Sequence, residues 1–348
     1  MKPNKYSSYN LNDFCEGCLR CVKGEKLVLF ISGRCSRACW YCSLSNKRKN
    51  SEKIWANERE IHDKEELIEE AEESNATSIG ITGGDPLLFL ERTIEFASAL
   101  KKRFGKKFHI HIYLPTKLID KEKLEKLKEI IYEARFHPEF LIDSEKKKED
   151  IEKIKLAERV FGKENIGIEL PMIPDKRQEI KDFIEKIENN VGFVNLNEFE
   201  MGETNEAVVS EKYKLNDSGY TIKGSLQEGE KLLNELAREH TKLKIHLCSA
   251  ELKNWHQYKN RLLRHKILPF GKRTEDGTVE YLAVYAKDDW NNLKKEFANH
   301  KEAYVDDKKK RIIINDKLAK ELKARGYKIE RVEEYPTYDG DECERWKV

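Results

Sequence analysis

Three cysteines lie close together in residues 33–43, where Cys35, Cys39 and Cys42 form a CxxxCxxC array. Thiolates on one short loop can bind three irons of a four-iron, four-sulfur (4Fe-4S) cluster. The loop offers no ligand for the fourth iron, so a small molecule can bind there. The apolar run Leu27–Ile31 precedes the array and predicts a buried strand with the cysteine loop at its carboxyl end.

Two other uses of these cysteines fit less well. A structural zinc site usually has four protein ligands, typically from CxxC pairs, whereas this loop has three cysteines and one longer gap. A disulfide cluster needs an oxidising compartment, and three cysteines cannot all pair. The spacing therefore favours the iron–sulfur cluster.

A second array, Cys15, Cys18 and Cys21, precedes the first one in CxxCxxC spacing. It has no fourth cysteine nearby, but Cys248 follows the apolar run 243–247 and is remote only in sequence. We predict that these four cysteines hold a second metal centre, which is either an auxiliary iron–sulfur cluster or a structural zinc ion. The alternative is that Cys248 is a buried thiol of the core.

The elements that must position these cysteines alternate between two patterns. Apolar runs typical of strands recur at residues 27–32, 77–82, 108–114, 131–136, 165–170, 191–196 and 243–248. Charged stretches with helical spacing lie between them, at residues 63–74, 90–103, 121–129, 144–160, 175–189 and 227–240. This alternation predicts an α/β fold in which βαβ units build a parallel sheet. The units that follow the cysteine loop predict a partial (β/α)6 barrel, whose functional residues lie at the carboxyl ends of the strands.

The pattern divides the chain into three predicted parts. A cysteine-rich segment covers residues 1–26, the barrel covers residues 27–264, and a small α+β domain covers residues 265–348. Residues 206–226 are polar, and we expect them to be irregular apart from one hairpin. In the last part, Glu275–Gly277 lies between two alternating runs and predicts a hairpin. A helix, a strand, a helix and a strand are predicted after it, near residues 287–299, 311–314, 316–325 and 327–335.

Composition limits the classes of function. Charged residues make up 37% of the 348 residues, but 66 Lys and Arg nearly cancel 64 Asp and Glu. This balance argues against a general binder of polyanions. The amino terminus is polar and no apolar run approaches about 18 residues, so we expect neither a signal peptide nor a membrane span. Eight cysteines in such a chain are more consistent with metal ligands than with disulfides. We expect a cytoplasmic protein with no membrane partner.

A glycine-rich turn follows the second apolar run. Its residues are Gly83, Gly84, Asp85 and Pro86. With the cysteine loop, and with Tyr41 directly before its last cysteine, this turn resembles the radical SAM superfamily over about residues 30–250. The resemblance implies a radical SAM barrel, a 4Fe-4S cluster on the three loop cysteines, and S-adenosylmethionine (SAM) bound to the open iron.

The same resemblance assigns contacts to SAM. Tyr41 would lie alongside the adenine. The turn at residues 83–86 would meet the methionine amino group, because glycines let the backbone approach a ligand and a carboxylate can pair an ammonium. Asp85 stands where glutamate is commoner in the family.

Polar residues at later strand ends are further candidates. Family members contact the ribose and carboxylate of SAM from the ends of the fourth and fifth strands, which here carry Arg135, His137 and Glu169. The alternative for each is an ordinary buried pair, since a charge within an apolar strand is costly unless it is paired.

The sixth strand ends in the polar residues Asn195, Asn197 and Glu198, where we expect substrate contacts. His109 and His111 alternate on one strand and so share a face. They either contact the substrate or are satisfied core histidines.

The reaction that the resemblance implies is reductive, as in an oxidoreductase: SAM is cleaved and a hydrogen atom is taken from a substrate. An electron donor such as ferredoxin or flavodoxin is then needed. The motifs TGGDPL, HIHIY, RFHP and NLNE are similar to those of an archaeal-type branch related to pyruvate formate-lyase activating enzymes.

The substrate stays open between tRNA or another macromolecule and a metabolite of a cofactor pathway. A glycyl-radical activating enzyme for a partner protein is the second enzyme hypothesis. An iron–sulfur redox protein or a zinc-stabilised binding module is the non-enzyme alternative, which the open fourth iron position disfavours.

Overall fold

The structure of the protein is a computed structural model. It describes residues 1–286 and 289–348. The chain divides into two units, one formed by residues 1–72 and 76–258 and the other by residues 73–75 and 259–348. Each unit has its own sheet. The three-part division with boundaries after residues 26 and 264 stays a prediction.

The apolar runs of the first unit pair into one sheet. Its strands in chain order are β1 (Tyr9–Leu11), β2 (Lys26–Phe30), β3 (Ile54–Ala56), β4 (Arg59–Ile61), β5 (Ser78–Thr82), β6 (His109–Pro115), β7 (Glu133–His137), β8 (Ile166–Met172), β9 (Phe193–Glu198) and β10 (Lys244–Cys248). Their order across the sheet is β1-β10-β9-β8-β7-β6-β5-β2-β3-β4. Strands β2 and β5 to β10 are parallel, and β1, β3 and β4 join antiparallel at the two edges. The predicted parallel sheet is confirmed, whereas the three-residue edge strands are too short to show a pattern in the sequence.

Helices connect the parallel strands. In the described part of the first unit they are α1 (Glu16–Val22), α2 (Lys64–Glu73), α3 (Leu90–Phe104), α4 (Lys121–Lys128), α5 (Lys147–Phe161), α6 (Arg177–Ile187), α7 (Glu206–Lys212) and α8 (Ser225–Arg238). The predicted helices form because apolar residues at helical spacing bury one face, as Phe183 and Ile184 do in α6. The expectation that residues 206–226 are irregular is wrong for α7, whose seven residues are too few for a period to show.

The parallel strands carry different side chains on their two faces. On β6, Ile110 and Ile112 are fully buried and belong to the apolar core that includes the helices. Alternate residues point the other way. Polar and charged side chains of β6 to β10 share that second face, which we call the polar face; it carries His109, His111, Tyr113, Glu133, Arg135, His137, Glu169, Asn195, Asn197, His246 and Cys248.

Helix α1 lies on the polar face. The backbone N–H of Gly17 donates to Glu133 Oε2 at 3.1 Å. A β-carbon at Gly17 would lie 2.5 Å from Arg135 Nη2 and 2.6 Å from Glu133 Oε1, so only glycine allows the helix to approach this closely. The exposed side of α1 carries an ion pair between Glu16 and Arg20, one turn apart, at 2.8 Å. The amino-terminal segment is therefore part of the first unit and covers its polar side chains.

The second unit contains an antiparallel sheet. Its strands are β11 (Lys272–Arg273), β12 (Val279–Tyr285), β13 (Ala303–Asp306), β14 (Arg311–Ile314), β15 (Glu330–Glu334) and β16 (Glu342–Lys347), and its helices are α10 (Trp290–Phe297) and α11 (Asp316–Ala324). In the chain between β10 and β11, a π-helical turn at Leu252–Gln257 leads into α9 (Tyr258–Arg264). The predicted α+β domain is confirmed, as is the hairpin at Glu275–Gly277, which joins β11 to β12. The helix expected near residues 287–299 starts at Trp290; residues 287 and 288 lie outside the described part.

A buried ion pair cluster organises the second sheet. The guanidinium of Arg311 is fully buried and pairs with Asp306 at 2.7 Å and with Glu334 at 2.7 Å. The three side chains satisfy one another's charge inside the unit. No α-helix among residues 1–286 and 289–348 is both long enough and apolar enough to cross a membrane.

Candidate functional site

The first cysteine loop starts where β2 ends. Cys35 is exposed, Cys39 and Cys42 are half-buried, and all three are free thiols. The loop is locally folded by a hydrogen bond from the backbone N–H of Cys42 to the carbonyl of Cys39 at 3.2 Å. Burial raises the pKa of the Cys35 and Cys39 thiols, against the opposing charge of Arg37. Three neighbouring free thiols, one of them open to solvent, fit the ligand set of a 4Fe-4S cluster with an accessible fourth iron.

The glycine-rich turn is fastened to this loop by backbone hydrogen bonds. The N–H of Gly84 donates to the carbonyl of Ser32 at 2.7 Å, and the N–H of Asp85 donates to that of Arg34 at 2.8 Å. A β-carbon at Gly84 would lie 2.1 Å from the Arg34 carbonyl oxygen, and one at Gly83 would lie 2.5 Å from that of Ser32. Both glycines are thus required for the turn and the loop to lie against each other.

Asp85 completes this connection with its side chain. Its carboxylate is fully buried and accepts hydrogen bonds from Ser36 Oγ at 2.5 Å and from the N–H of Leu87 at 3.0 Å. The second bond caps a 3₁₀ helix that begins at Pro86. Burial raises the pKa of Asp85, partly offset by these donors. In this structure the carboxylate orients the cysteine loop; its predicted pairing with the amino group of SAM stays a prediction.

The cysteine loop also contacts residues 204–213, which no sequence pattern had linked to it. Asn205 Nδ2 donates to the carbonyl of Tyr41 at 3.1 Å, and Thr204 Oγ1 donates to that of Cys42 at 2.8 Å. The Trp40 ring stacks on Tyr213 with centroids 6.3 Å apart. Burial raises the pKa of the Tyr41 phenol well above its usual range. These contacts fix the aromatic pair inside the cysteine loop.

His137 connects the loop to the end of β7. The backbone carbonyl of His137 accepts a hydrogen bond from Arg37 Nη1 at 2.7 Å. Burial, followed by the charges of Arg37 and Arg135, lowers the pKa of the His137 imidazole to about 3. The imidazole is therefore neutral at physiological pH. Its position near the cysteine loop is compatible with its predicted contact with SAM.

Arg135 and Glu169 pair with each other on the polar face. Arg135 Nη1 lies 3.2 Å from Glu169 Oε2. The side-chain amides of Asn195 and Asn197 both donate to Glu169 Oε1, each at 2.6 Å. The structure therefore joins two predicted SAM contacts and two predicted substrate contacts in one buried network. Glu198 is separate: it points the other way on β9 and accepts from the N–H of Ala250 at 2.8 Å.

Glu133 is a member of this network that the sequence analysis missed. Its Oε1 lies 2.6 Å from Arg135 Nη2, and both residues are buried. The guanidinium also lies over the rings of Tyr113 and Phe193, at 5.4 and 5.3 Å from their centroids. The available signal was a carboxylate within the apolar run 131–136, two residues from Arg135, because such alternation puts both on one face.

The second cysteine array lies on α1 and faces the same network. Arg135 Nη2 donates to Cys15 Sγ at 3.2 Å and to Cys18 Sγ at 3.5 Å. Cys248 is the last residue of β10. Burial raises the pKa of its thiol, and the charges of the neighbouring Cys21 and Cys18 raise it further. The four predicted ligands thus come from α1 and β10 to one region of the polar face. Among the described residues, the sulfur atoms of these four cysteines do not all lie within 4.8 Å of one another.

We predict that Gly84→Ala disrupts the cysteine loop. The added methyl group would lie 2.1 Å from the Arg34 carbonyl oxygen, so the loop must move away from the turn. Iron bound after anaerobic reconstitution should fall severalfold relative to the parent, and the free energy of unfolding should fall by about 1–3 kcal/mol. Gly219→Ala is the control for iron content: no atom lies within 4 Å of the added carbon, so it should keep the parent's iron, although its φ of +80° makes it lose some unfolding free energy through backbone strain. Parent-like iron content in Gly84→Ala would contradict the steric role of this residue.

We also predict that His137 makes the protein less stable in acid. Its pKa is about 3 in the folded chain, against an ordinary value of 6.5. The unfolded chain therefore takes up a proton that the folded chain refuses, and stability falls as pH drops from about 6.5 towards about 3, by about 1.4 kcal/mol per pH unit. In His137→Gln, the slope of unfolding free energy between pH 6 and pH 4 should be smaller by that amount. A slope in His137→Gln equal to that of the parent would refute the assignment.

Comparisons with known proteins agree with this geometry. Residues 29–187 match the family model described as Radical SAM superfamily. A Methanocaldococcus jannaschii protein named "Putative glycyl-radical enzyme activating enzyme MJ0021" is 36% identical over 361 residues, which cover 98% of this chain and 94% of the relative.

Two solved structures are also similar to the chain. One is titled "Native anSMEcpe with bound AdoMet" (TM-score 0.43, 15% identity, 74% of this chain and 73% of that one). The other is the Escherichia coli coproporphyrinogen III oxidase (HemN) (TM-score 0.40, 11% identity, 68% of this chain and 58% of that one). At these scores they add no weight to the family match and the full-length relative. On those two findings, the chain belongs to the radical SAM superfamily and is an enzyme whose cofactors are a 4Fe-4S cluster and S-adenosylmethionine.

Proposed function

We propose that Cys35, Cys39 and Cys42 hold the 4Fe-4S cluster and that SAM binds between this loop, the turn at residues 83–86 and the neighbouring strand ends. When bound, the cluster and SAM supply the reductive cleavage of SAM and the removal of a hydrogen atom from a substrate. The chain itself must hold these groups in a fixed geometry and exclude water and competing hydrogen donors.

The observation that carries this proposal is the connection between the cysteine loop and the glycine-rich turn. Each follows one of two neighbouring parallel strands, β2 and β5. Two backbone hydrogen bonds and the Ser36–Asp85 bond join them. Because the turn cannot shift without moving the loop, the cluster ligands and the predicted site for the methionine amino group are held as one rigid unit.

The remaining candidates follow from their surroundings. His137 is neutral and is linked to the loop through Arg37, so we propose it as a direct SAM contact. Arg135 and Glu169 are engaged with each other, and we propose that they set the charge and shape of the polar face beneath SAM. Asn195 and Asn197 remain proposed substrate contacts, at the carboxyl end of β9.

The substrate is proposed at the level of class. An unidentified substrate, either tRNA or another macromolecule or a metabolite of a cofactor pathway, is the first hypothesis. The exposed Trp255, 64% accessible on a π-helical turn that also carries Lys253 and His256, favours a large partner. We propose an electron donor such as ferredoxin or flavodoxin, and a cytoplasmic location consistent with eight free cysteines.

A second hypothesis is activation of a glycyl-radical enzyme, favoured by the name of the Methanocaldococcus jannaschii relative. That relative aligns with 98% of this chain, so the second unit does not distinguish the two proteins. A protein substrate and a redox partner would follow. A deletion strain separates the hypotheses: altered tRNA nucleosides or metabolites support the first, whereas loss of a partner's glycyl-radical signal supports the second.

The test of SAM cleavage uses the full chain, reconstituted anaerobically. With dithionite and SAM, the parent should release 5′-deoxyadenosine and methionine. Cys35→Ser should reduce this release by at least about a hundredfold, because one of three cluster ligands is lost. Cys343→Ser, on an exposed cysteine outside both arrays, is the control and should retain parent activity. Absence of product from a cluster-loaded parent would refute the proposal.

We further propose that Cys15, Cys18, Cys21 and Cys248 hold the second metal centre, as an iron–sulfur cluster or a zinc ion. Cys18 and Cys21 lie on α1, Cys15 is its N-cap residue, and Cys248 is the last residue of β10. A hydrogen bond from Cys15, together with the Arg135 guanidinium, lowers the pKa of the Cys18 thiol and favours the thiolate that a metal requires, whereas burial raises the pKa of Cys15.

A triple substitution tests this second centre. Changing Cys15, Cys18 and Cys21 to Ala should remove the second centre's iron or zinc from the purified protein and leave the cluster at the first loop. Metal analysis by mass spectrometry, together with 5′-deoxyadenosine release, distinguishes the two sites. Unchanged total metal would dismiss the second centre. Cys343→Ala is again the control.

A further inference from the structure

Two histidines on the polar face, His109 and His111, have no role in the proposed SAM site, and they lie beside Glu133 of the charged network. One ligating atom from each of His109, His111 and Glu133 lies within 4.8 Å of the others. We infer that these three residues bind one divalent transition-metal ion of the Zn²⁺ class. In the described part of the chain, no other three His, Cys, Asp or Glu side chains meet this distance.

The strand register brings the three ligands together. His109 and His111 are two residues apart on β6 and so share a face. His111 is the direct register partner of Glu133 on the parallel neighbour β7. Neighbouring strands lie about 4.8 Å apart, so side chains paired this way extend into the same space on one face of the sheet. The site is therefore built into regular sheet and does not depend on a loop.

The histidines are buried without hydrogen-bond partners. His111 is fully buried and His109 is 9% exposed. In the described residues, both ring nitrogens of His111 and Nε2 of His109 have no partner. A buried polar atom left unpaired costs about 1–3 kcal/mol, and such atoms are rare unless an ion or a water occupies the space. The Glu133 carboxylate beside them is paired with Arg135 through Oε1, while its Oε2 accepts one hydrogen bond from the N–H of Gly17 and keeps a second lone pair for an ion.

Small residues keep space around His111. A β-carbon at Gly80 would lie 2.7 Å from its Nε2, and one at Gly17 would lie 3.1 Å from its Nδ1. Larger residues at these positions would displace the imidazole. Glycine at both positions is therefore what allows the His111 imidazole to keep its place between β5 and α1.

The donor set matches a transition metal. Burial lowers the pKa of both histidines, which keeps the imidazoles neutral and able to donate a lone pair. Two imidazoles and one carboxylate suit Zn²⁺ or Fe²⁺ and disfavour Ca²⁺ or Mg²⁺, which prefer oxygen. Arg135 opposes the added charge, but its guanidinium also faces Glu169 and the thiols of Cys15 and Cys18. Lys26 adds a second positive charge near His111, and the carboxylates of Glu133 and Glu169 offset the two cations.

The test uses the full chain and Zn²⁺ alone as the probe. After incubation with Zn²⁺ and gel filtration, His109→Asn/His111→Asn should contain about one equivalent of zinc less than the parent, with iron and sulfide unchanged. The surface variant His62→Asn is the matched control and should bind as much zinc as the parent. Because zinc at the cysteines of α1 would be lost with those cysteines and not with the histidines, the two centres are measured separately.

X-ray absorption at the zinc edge of the parent needs no variant and covers the case in which the double substitution does not fold. A first shell with two imidazole nitrogens supports the site. A shell of sulfur alone, or equal zinc in the folded double variant and the parent, overturns it and leaves the histidines to a buried water.

Discussion

The buried guanidinium of Arg135 determines how the polar face is assembled. It is 2% exposed and contacts Glu133 on its own strand β7, Glu169 on the neighbouring strand β8, and Cys15 at the N-cap of α1. A charge this deep is tolerated only when every donor is paired, and removing one partner of such a group typically costs about 3–5 kcal/mol. The strands, the amino-terminal helix and the polar side chains are consequently fixed relative to one another through one cation.

Glycine allows a different close contact at each of two positions, Gly84 and Gly17. At Gly84 it lets two strand-end loops lie in backbone contact, so the cysteine loop is held before any ligand binds. At Gly17 it lets α1 lie on Arg135 and Glu133. The family motif explains Gly84 by the need for the backbone to lie close to SAM. The structure adds a second reason, since the backbone at Gly84 also lies against the backbone of the cysteine loop. Both needs require the absence of a β-carbon.

The sequence predicted the parallel sheet because strand periodicity is local and was repeated many times. It could not predict that Asn205 and Thr204 support the cysteine loop, since that contact joins residues more than 150 positions apart, with no pattern in between. Helix α1 was missed for a related reason: its seven residues are too few to show a helical period, and the spacing of Cys18 and Cys21 was interpreted only as ligand spacing. Arg135 and Glu169 were found as charges in apolar runs, but their pairing depended on the register of β7 against β8.

Strand β7 connects the three parts of the polar face at every second residue. His137 meets the cysteine loop through Arg37, Arg135 lies at the centre of the charged network, and Glu133 faces the two histidines. Four residues of strand span about 13 Å, which is too far for an ion at Glu133 to touch a substrate held beside His137. An ion there acts instead on structure: it would join β6 to β7 beneath α1, and thereby hold the cysteines of α1 against the sheet. The reacting groups and the proposed ion are thus separated along one strand. A substitution at one of the two sites therefore does not directly contact the other site.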